Sequence, residues 1–408
     1  MSRDGGQAKR ILYIEGCKDG TVGGSHSCLY NMVANIDRKK YYPIVIFYDD
    51  HIIAEKLRAL GIETRIFAKY TPLDAGSLLK TSIPRMGALA PILLPLQKAI
   101  NLLWYFFRPV LRYTHYIKER HIDIVHLNNS LNTNHDWMLA AKLAGARVVS
   151  HERGISEKLS RTSKYFGKRL DALVCVSRAI QEPLMRQGMA EAKAVVIYDG
   201  IDFEKIAAES TPESIRAAYG IGNKEPIIGV VGNIKQWKGQ ETVVRATAIL
   251  KSDWPGIRCL LVGGTTEGDP YRKRLNSISE ELGIRDNIIF TGFQKNPVDF
   301  MNAMDVVIHS SIEPEPFGMV NLEAMYMKKP VISTKIGGPL EIFSDGIDGI
   351  LIEPGNPELL AANISELLKK PEMRESIRQK AYVAVTRKFG IGSTVRKIQD
   401  IYDKVCNT

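Results

Sequence analysis

Cysteine is scarce in this chain. Five residues in 408 carry a thiol (Cys17, Cys28, Cys175, Cys259 and Cys406), and no two form a C-x-x-C pair. An odd, dispersed set excludes a disulfide framework, and no His/Cys cluster has zinc spacing; reduced, mostly core thiols are expected. No G-x-G-x-x-G fingerprint is present, which argues against a nicotinamide enzyme. No repeat or low-complexity tract appears, so a solenoid is excluded. No nucleic-acid module is found, and a nucleic-acid partner is not expected. The first nine residues are polar and no apolar stretch follows them, so no secretory signal is expected. The predicted location is cytoplasmic, extending to a peripheral position on the inner face of the membrane. Residues 75–118 contain no acidic side chain, and no apolar run there is long enough to span a bilayer.

What the chain does have is an uneven charge. The net charge is +10, and all of the excess lies in residues 1–205; residues 206–408 are balanced. Such asymmetry points to a polyanionic partner or an anionic membrane surface. Hydrophobic content of 45% and charged content of 25% are those of a globular protein. Short apolar runs alternate with helical stretches along the whole length, which predicts an α/β fold with parallel sheets. One series begins at Arg10–Glu15, and a second restarts at Pro226–Gly232. Two Rossmann-like series in tandem suit the length. A polar, helix-prone linker is placed near 203–224. The predicted domains are 1–203, 204–385 and a C-terminal helix over 386–408.

The most informative stretch is Ser310–Met325. It holds two carboxylates, Glu315 and Glu323, eight positions apart across a loop-to-helix junction. Pro314 and Pro316 push Glu313 and Glu315 toward extended geometry, so helix begins near Phe317. Gly318 permits close backbone approach. The amides around Gly318, Met319 and Val320 have no intrahelical partner and carry the positive end of the dipole, which makes an anion site. A phosphate flanked by hydroxyl groups, the outline of a nucleotide sugar, fits such a site. An ordinary helix with Glu at its start fits the same residues.

Three further segments carry candidate chemistry. Gly232-Asn233-Ile234-Lys235-Gln236-Trp237-Lys238-Gly239 is a glycine-containing strand-to-helix turn with two lysines, able to hold a diphosphate or simply to be solvated. His151 ends one strand, and His126 lies in another. Gly23-Gly24-Ser25 is a turn whose amides suit a phosphate or an acceptor. Residues 75–118 combine Lys80, Arg85, Lys98, Arg108, Arg112 and Lys118 with Leu102-Leu103-Trp104-Tyr105-Phe106-Phe107. Two readings fit that region: a membrane-interface segment, or a helix whose apolar face is core.

Over residues 310–356 the sequence resembles family 4 of the retaining glycosyltransferases, which have the GT-B fold. The resemblance rests on Glu315-x7-Glu323, Lys329-Pro330-Val331-Ile332, Gly337-Gly338-Pro339-Leu340-Glu341 and Asp345–Ile352. It extends over nearly the whole chain and is weakest over 70–120. It implies two Rossmann-like domains with parallel sheets facing an interdomain cleft, the acceptor in the first and the nucleotide-sugar donor in the second, with the last helix crossing back. It implies Glu323 on the ribose hydroxyls, Glu315 on the sugar hydroxyls, Lys238 on the diphosphate and His151 at the reacting centre. His151, Glu315 and Lys238 are thus the expected catalytic residues. The implied sugar-donor site adds Gly232, Asn233, Lys235, Gly263, Phe293, Phe317, Gly318, Met319 and Val320. Gly23, Gly24, Ser25 and His126 form the expected acceptor or phosphate loop. Asn233 stands where the family has Arg, and Lys235 is the candidate substitute cation.

The expected reaction moves a hexose from a nucleoside diphosphate sugar to a hydroxyl of a lipid-linked glycan or surface polysaccharide. A UDP-sugar is favoured and GDP-mannose is next. No cofactor and no metal are expected. The alternatives are a catalytically silent scaffold of a polysaccharide assembly complex, and a GT-B epimerase or phosphorylase.

Overall fold

β-branched and aliphatic runs with no polar alternation make strands that are buried on both faces. The computed structural model describes residues 7–16, 23–68, 95, 97–129, 131–266 and 268–407, and thirteen strands are seen among them; most are of this buried kind, whereas Glu63–Ile66 is partly exposed. Cys17 and, within the basic apolar stretch, residues 75–94 and 96 lie outside the described residues. The chain divides into two compact units. One comprises residues up to Cys175, Gln181–Ile197 and the chain from Val395; the other comprises Val176–Ile180 and Tyr198–Thr394.

The first unit carries a seven-stranded sheet: β1 (Lys9–Glu15), β2 (Tyr41–Phe47), β3 (Glu63–Ile66), β4 (Ile124–Asn128), β5 (Arg147–Glu152), β6 (Ala172–Cys175) and β7 (Ala194–Val196). Its spatial order is β3-β2-β1-β4-β5-β6-β7, and every pairing is parallel. The second unit carries β8 (Ile227–Val231), β9 (Arg258–Val262), β10 (Ile288–Gly292), β11 (Val306–His309), β12 (Val331–Thr334) and β13 (Ile350–Ile352). Its order is β10-β9-β8-β11-β12-β13, again all parallel. Both are Rossmann-like sheets with helical crossovers.

The second core is built from aliphatic residues of the strands and the helices that cover them, including Ile228, Val230, Val243, Leu250, Leu261, Leu275, Ile308, Ile332 and Leu360. In each sheet the chain order reverses once, between β1 and β4 and between β8 and β11. Open parallel sheets bind ligands outside the carboxyl ends of the strands at that reversal.

Residues Val176–Ile180 fall in the second unit for a local reason. The Ser177 hydroxyl donates to the Pro316 carbonyl at 2.6 Å. The Glu341 carboxylate accepts the amides of Arg178 and Ala179 at 3.0 and 3.1 Å, capping the helix Arg178–Arg186. The polar stretch after residue 203 forms a short 3-10 turn, Phe203–Lys205, and a helix, Pro212–Ala218. Tyr198, Phe317 and Phe389 pack together, with ring centroids 5.5 Å (Tyr198–Phe317) and 5.9 Å (Phe317–Phe389) apart. The last helix, Ile391–Asn407, belongs to the first unit from Val395 on. There Asp403 accepts from the Tyr41 hydroxyl at 2.6 Å.

Candidate active site

In the second unit the reversal brings the loop after β8 against the loop after β11. The Lys238 ammonium lies 2.6 Å from Oε2 of Glu315. The same oxygen accepts from the Ser311 hydroxyl at 3.0 Å and from Nε2 of His309 at 3.2 Å. A carboxylate can only accept, so His309 donates from Nε2, and its Nδ1 faces the Ser333 hydroxyl at 3.1 Å. Burial works to raise the pKa of Glu315. His309 and Lys238 outweigh it and hold the carboxyl down at about 2. Glu315 is therefore a buried, ionised group whose three protein donors converge on one oxygen. Lys238 has three N–H donors, and one is committed to Glu315.

Glycines make this approach of loops possible. Gly239 has φ +68°, and a Cβ there would overlap the Ser310 carbonyl oxygen. The two loops are laced by Ile312 N donating to Trp237 O at 2.8 Å and the Ser310 hydroxyl donating to Lys238 O at 2.8 Å. Gly263, at φ +157°, leaves no room for a Cβ against the carbonyl of Gly232. Gly337 has φ +76°, and Gly337 and Gly338 pack against the backbone of Glu315 and Phe317 in the same way. The Gly-Gly pair after β12 thus supports the Glu315 loop as well as opening the helix Pro339–Ile342.

The helix expected to begin near Phe317 begins at Met319, with Gly318 as its N-cap at φ +99° and no side-chain cap. The amides at its start therefore remain available. Beneath them lies Asn321, fully buried, with neither side-chain polar atom partnered among the described residues. Glu323, one helical turn past Val320, has no side-chain hydrogen bond or ion pair among the described residues. Burial pushes its carboxyl up to about 7, and the residue keeps some solvent-accessible surface. Phe317 is placed in the aromatic stack with Tyr198 and is buried. Phe293 follows β10 and is 73% exposed. Asn233 lies at the end of β8 near Gly264, and Lys235 projects from the surface.

In the first unit the structure brings His126 and His151 together and buries both fully. Nδ1 of His151 is 3.3 Å from Nε2 of His126, and Nδ1 of His126 is 2.7 Å from the Tyr402 hydroxyl. Arg153 approaches Nδ1 of His151 at 3.4 Å and donates to Asn128 at 2.8 Å. Asn128 in turn bonds Glu15, as does Asn129 at 2.7 Å. Burial, with the Arg153 charge added, lowers His126 to about 3 and keeps His151 well below its ordinary value. Both rings are neutral at pH 7. A guanidinium can only donate, so Nδ1 of His151 accepts and Nε2 carries its proton. His126 then donates from Nε2 and accepts from Tyr402. Nε2 of His151 is buried with no partner among the described residues.

Tyr402→Phe should break this relay and cost about 1–3 kcal/mol by orphaning a buried acceptor. Urea unfolding reads the cost, and 15N shifts of His151 read a mixture of tautomers in place of one. Unchanged stability with a single Nε2–H tautomer would refute the relay.

Gly23 caps the helix Gly24–Ala34 without a side-chain bond, and Gly23 and Gly24 have open space where a Cβ would stand. With Ser25, whose carbonyl is 3.4 Å from the Asn128 amide, they sit at the first unit's reversal point. Sequence reasoning missed His309, Ser311, Asn321 and Tyr402. The run Ile308-His309-Ser310-Ser311 at a strand end was the available signal for the first two; Asn321 and Tyr402 had none. Among the described residues no group of three His, Cys, Asp or Glu is placed to hold a metal ion.

The pair of parallel-sheet units defines a GT-B fold. Over 97% of this chain and 99% of the other, the structure is similar to HepE from Anabaena, solved in complex with UDP-glucose, with a TM-score of 0.79 at 24% identity. At that identity the likeness is one of fold. Residues 212–384 match the model for glycosyl transferases group 1, and residues 51–205 match that for Glycosyltransferase Family 4. Together the matches span most of the chain, which belongs to this family of glycosyltransferases. A D-inositol 3-phosphate glycosyltransferase of Corynebacterium urealyticum is 31% identical over 221 residues, 52% of this chain and 51% of its own length. The N-acetyl-alpha-D-glucosaminyl L-malate synthase of Bacillus anthracis is 25% identical over 294 residues, 70% of this chain and 75% of its own. The chain thus spans between about half and three quarters of these relatives' lengths.

Proposed function

We propose that this protein is a retaining hexosyltransferase using a nucleoside diphosphate sugar, with a UDP-hexose favoured over GDP-mannose. The observation that carries the reading is the Lys238–Glu315–His309 cluster at the reversal of the second sheet, beside an uncapped helix start. The diphosphate lies against the Gly318–Val320 amides and takes the remaining donors of Lys238. Those groups offset the charge that develops as the nucleoside diphosphate departs, which a metal does elsewhere. Glu315, its Oε2 already holding three donors, is too weakly basic for a nucleophile. It orients the sugar by accepting hydroxyl protons. Glu323 accepts the ribose hydroxyls, and His151 offers Nε2–H at the reacting centre. The acceptor is the hydroxyl of a lipid-linked glycan or growing polysaccharide. Phosphate or acceptor meets the amides of Gly23, Gly24 and Ser25.

A thermal-shift panel of UDP, GDP, ADP and their sugars, with and without magnesium, tests this. HepE is recorded with UDP and with UDP-glucose, so the uridine series leads the panel. A ligand at about 100 times its Kd stabilises by about 2.7 kcal/mol. One series shifting the transition without magnesium supports the reading. No shift from any of them would favour the silent scaffold, to which the missing cation at Asn233 already leans.

Glu323 adds a pH signature. Its folded pKa of about 7 exceeds the ordinary 4.5, so the folded state binds more protons between those values. Its contribution therefore falls as pH rises from 4.5 to 7, by about 2 kcal/mol once partial exposure is allowed for. Glu323→Gln should gain stability over wild type across that window. UDP affinity should rise toward pH 7 in wild type and stay flat in the variant. Parallel pH profiles for both proteins would remove Glu323 from the site.

A further inference from the structure

The helical segment from Gln97 to Glu119 turns a second kind of surface outward. Its inner side is settled: Val110, Tyr113 and Ile117 are buried, and Tyr113 stacks on Trp137 at 3.8 Å. Its outer side carries Leu102, Leu103, Trp104, Phe107 and Leu111, which are 52%, 60%, 55%, 42% and 67% exposed. Five large apolar side chains in ten positions are more than scattered surface hydrophobes. A wide-turn π-helix, Asn101–Phe107, leads directly into the α-helix Arg108–Glu119 and crowds Leu102, Leu103 and Trp104 onto that side. The core reading thus holds for the inner face of this segment, and the outer face is left exposed.

The charges on the same side have one sign. Lys98, Arg108, Arg112 and Lys118 are exposed, and no carboxylate occurs from 75 to 118. The acid at the far end, Glu119, lies 3.7 Å from His115. Arg108 stacks over Trp104 at 5.3 Å, joining cation and indole in one element. Beside the patch, Leu102, Phe106 and Phe166 help line an apolar recess of about 460 Å³ with Lys98 at its edge. Among the described residues no helix is long and apolar enough to cross a membrane.

We propose that this face docks on the surface of a bilayer rich in anionic lipid. Leu103, Trp104, Phe107 and Leu111 enter the headgroup boundary, the exposed lysines and arginines meet lipid phosphates, and the recess accepts part of an acyl chain. Aliphatic side chains with Trp on one side and cations around them are the composition of a helix lying in the interface plane. The complementary charge singles out a lipid surface over a second copy of this chain, which would bring the same positive patch against itself.

The test is co-sedimentation of the full chain with vesicles of pure phosphatidylcholine and with vesicles containing about one third phosphatidylglycerol. Binding to the anionic vesicles alone, weakening with salt, is expected. Lys98→Gln/Arg108→Gln should lower the partition about fivefold per cation. Leu103→Ser/Trp104→Ser should abolish it even at low salt. Equal binding to both vesicles, or wild-type binding by either double variant, overturns the proposal. So does a dimer that dissociates in Leu103→Ser/Trp104→Ser while no protein pellets with lipid. The sugar-donor site takes no part in this contact. A nucleotide-dependent thermal shift retained in every variant shows that they are folded and separates failure here from failure of the transferase reading.

Discussion

Glu315→Gln is expected to lower kcat/KM about 10³-fold, equivalent to roughly 4 kcal/mol of transition-state stabilisation. The swap is nearly isosteric, so the effect is electrostatic. Oε2 of Glu315 now gathers Lys238, Ser311 and His309, all donors. A glutamine keeps one acceptor and adds two donors, so the Lys238 ammonium loses its counter-charge. Without it, Lys238 is no longer held 2.6 Å from the 315 side chain and is free to pair elsewhere. The sugar hydroxyls lose a charged acceptor in the same step.

The free protein should carry a second signature of this change. The folded pKa of Glu315, about 2, lies below the ordinary 4.5. Its stabilisation is present above pH 4.5 and is lost as pH falls toward 2. That acid limb should shrink in Glu315→Gln. Turnover within tenfold of wild type, with the acid limb intact, would remove Glu315 from the chemistry.

Gly239→Ala should cost about 2–5 kcal/mol. An alanine there is strained at φ +68°, and its methyl would also overlap the Ser310 carbonyl oxygen. Left-handed geometry alone costs about 1–2 kcal/mol, and forcing a methyl into packed backbone adds about 1–3 kcal/mol. Gly283→Ala separates the two effects, because Gly283 has φ +65° in the same unit with nothing near its Cβ position. Urea midpoints should place Gly283→Ala about 1–2 kcal/mol below wild type and Gly239→Ala well below that. Equal losses would show that the loop yields and that the Lys238–Glu315 approach does not depend on this glycine. If the loop does not yield, Gly239→Ala should also weaken nucleotide binding, since Lys238 is the adjacent residue.

Much of the site could be read along the chain because its parts are local. Pro314 and Pro316 delay the helix, and Gly318 then starts it, so Glu315 stays in the loop and Glu323 enters the helix. Lys238 follows a strand-ending glycine turn. These are short-range statements about backbone geometry, and they place each residue at the carboxyl end of a strand. His309 and Ser311 lie a few residues from Glu315, yet nothing in their spacing says that their side chains converge on one of its oxygens. Tyr402 is further from legibility: it meets His126 across 276 positions, through a helix whose apolar periodicity is that of any amphipathic helix.

By itself, the sequence determined the α/β class, the two sheet-forming series, the carboxylates that bracket a helix start, and the confinement of positive charge to the first half. Each follows from periodicity, from proline and glycine chemistry, or from counting. The tertiary structure decided which strand ends became neighbours. With β8 beside β11, Lys238 and Glu315 form an ion pair; in another strand order they would be two unrelated surface charges. With β4 beside β5 and the last helix packed on the same unit, His126, His151 and Tyr402 share a buried relay. It also decided which side of the segment Gln97–Glu119 is core and which is left to face outward. Periodicity marks an amphipathic face, but only the packing of neighbouring elements determines which surfaces remain uncovered.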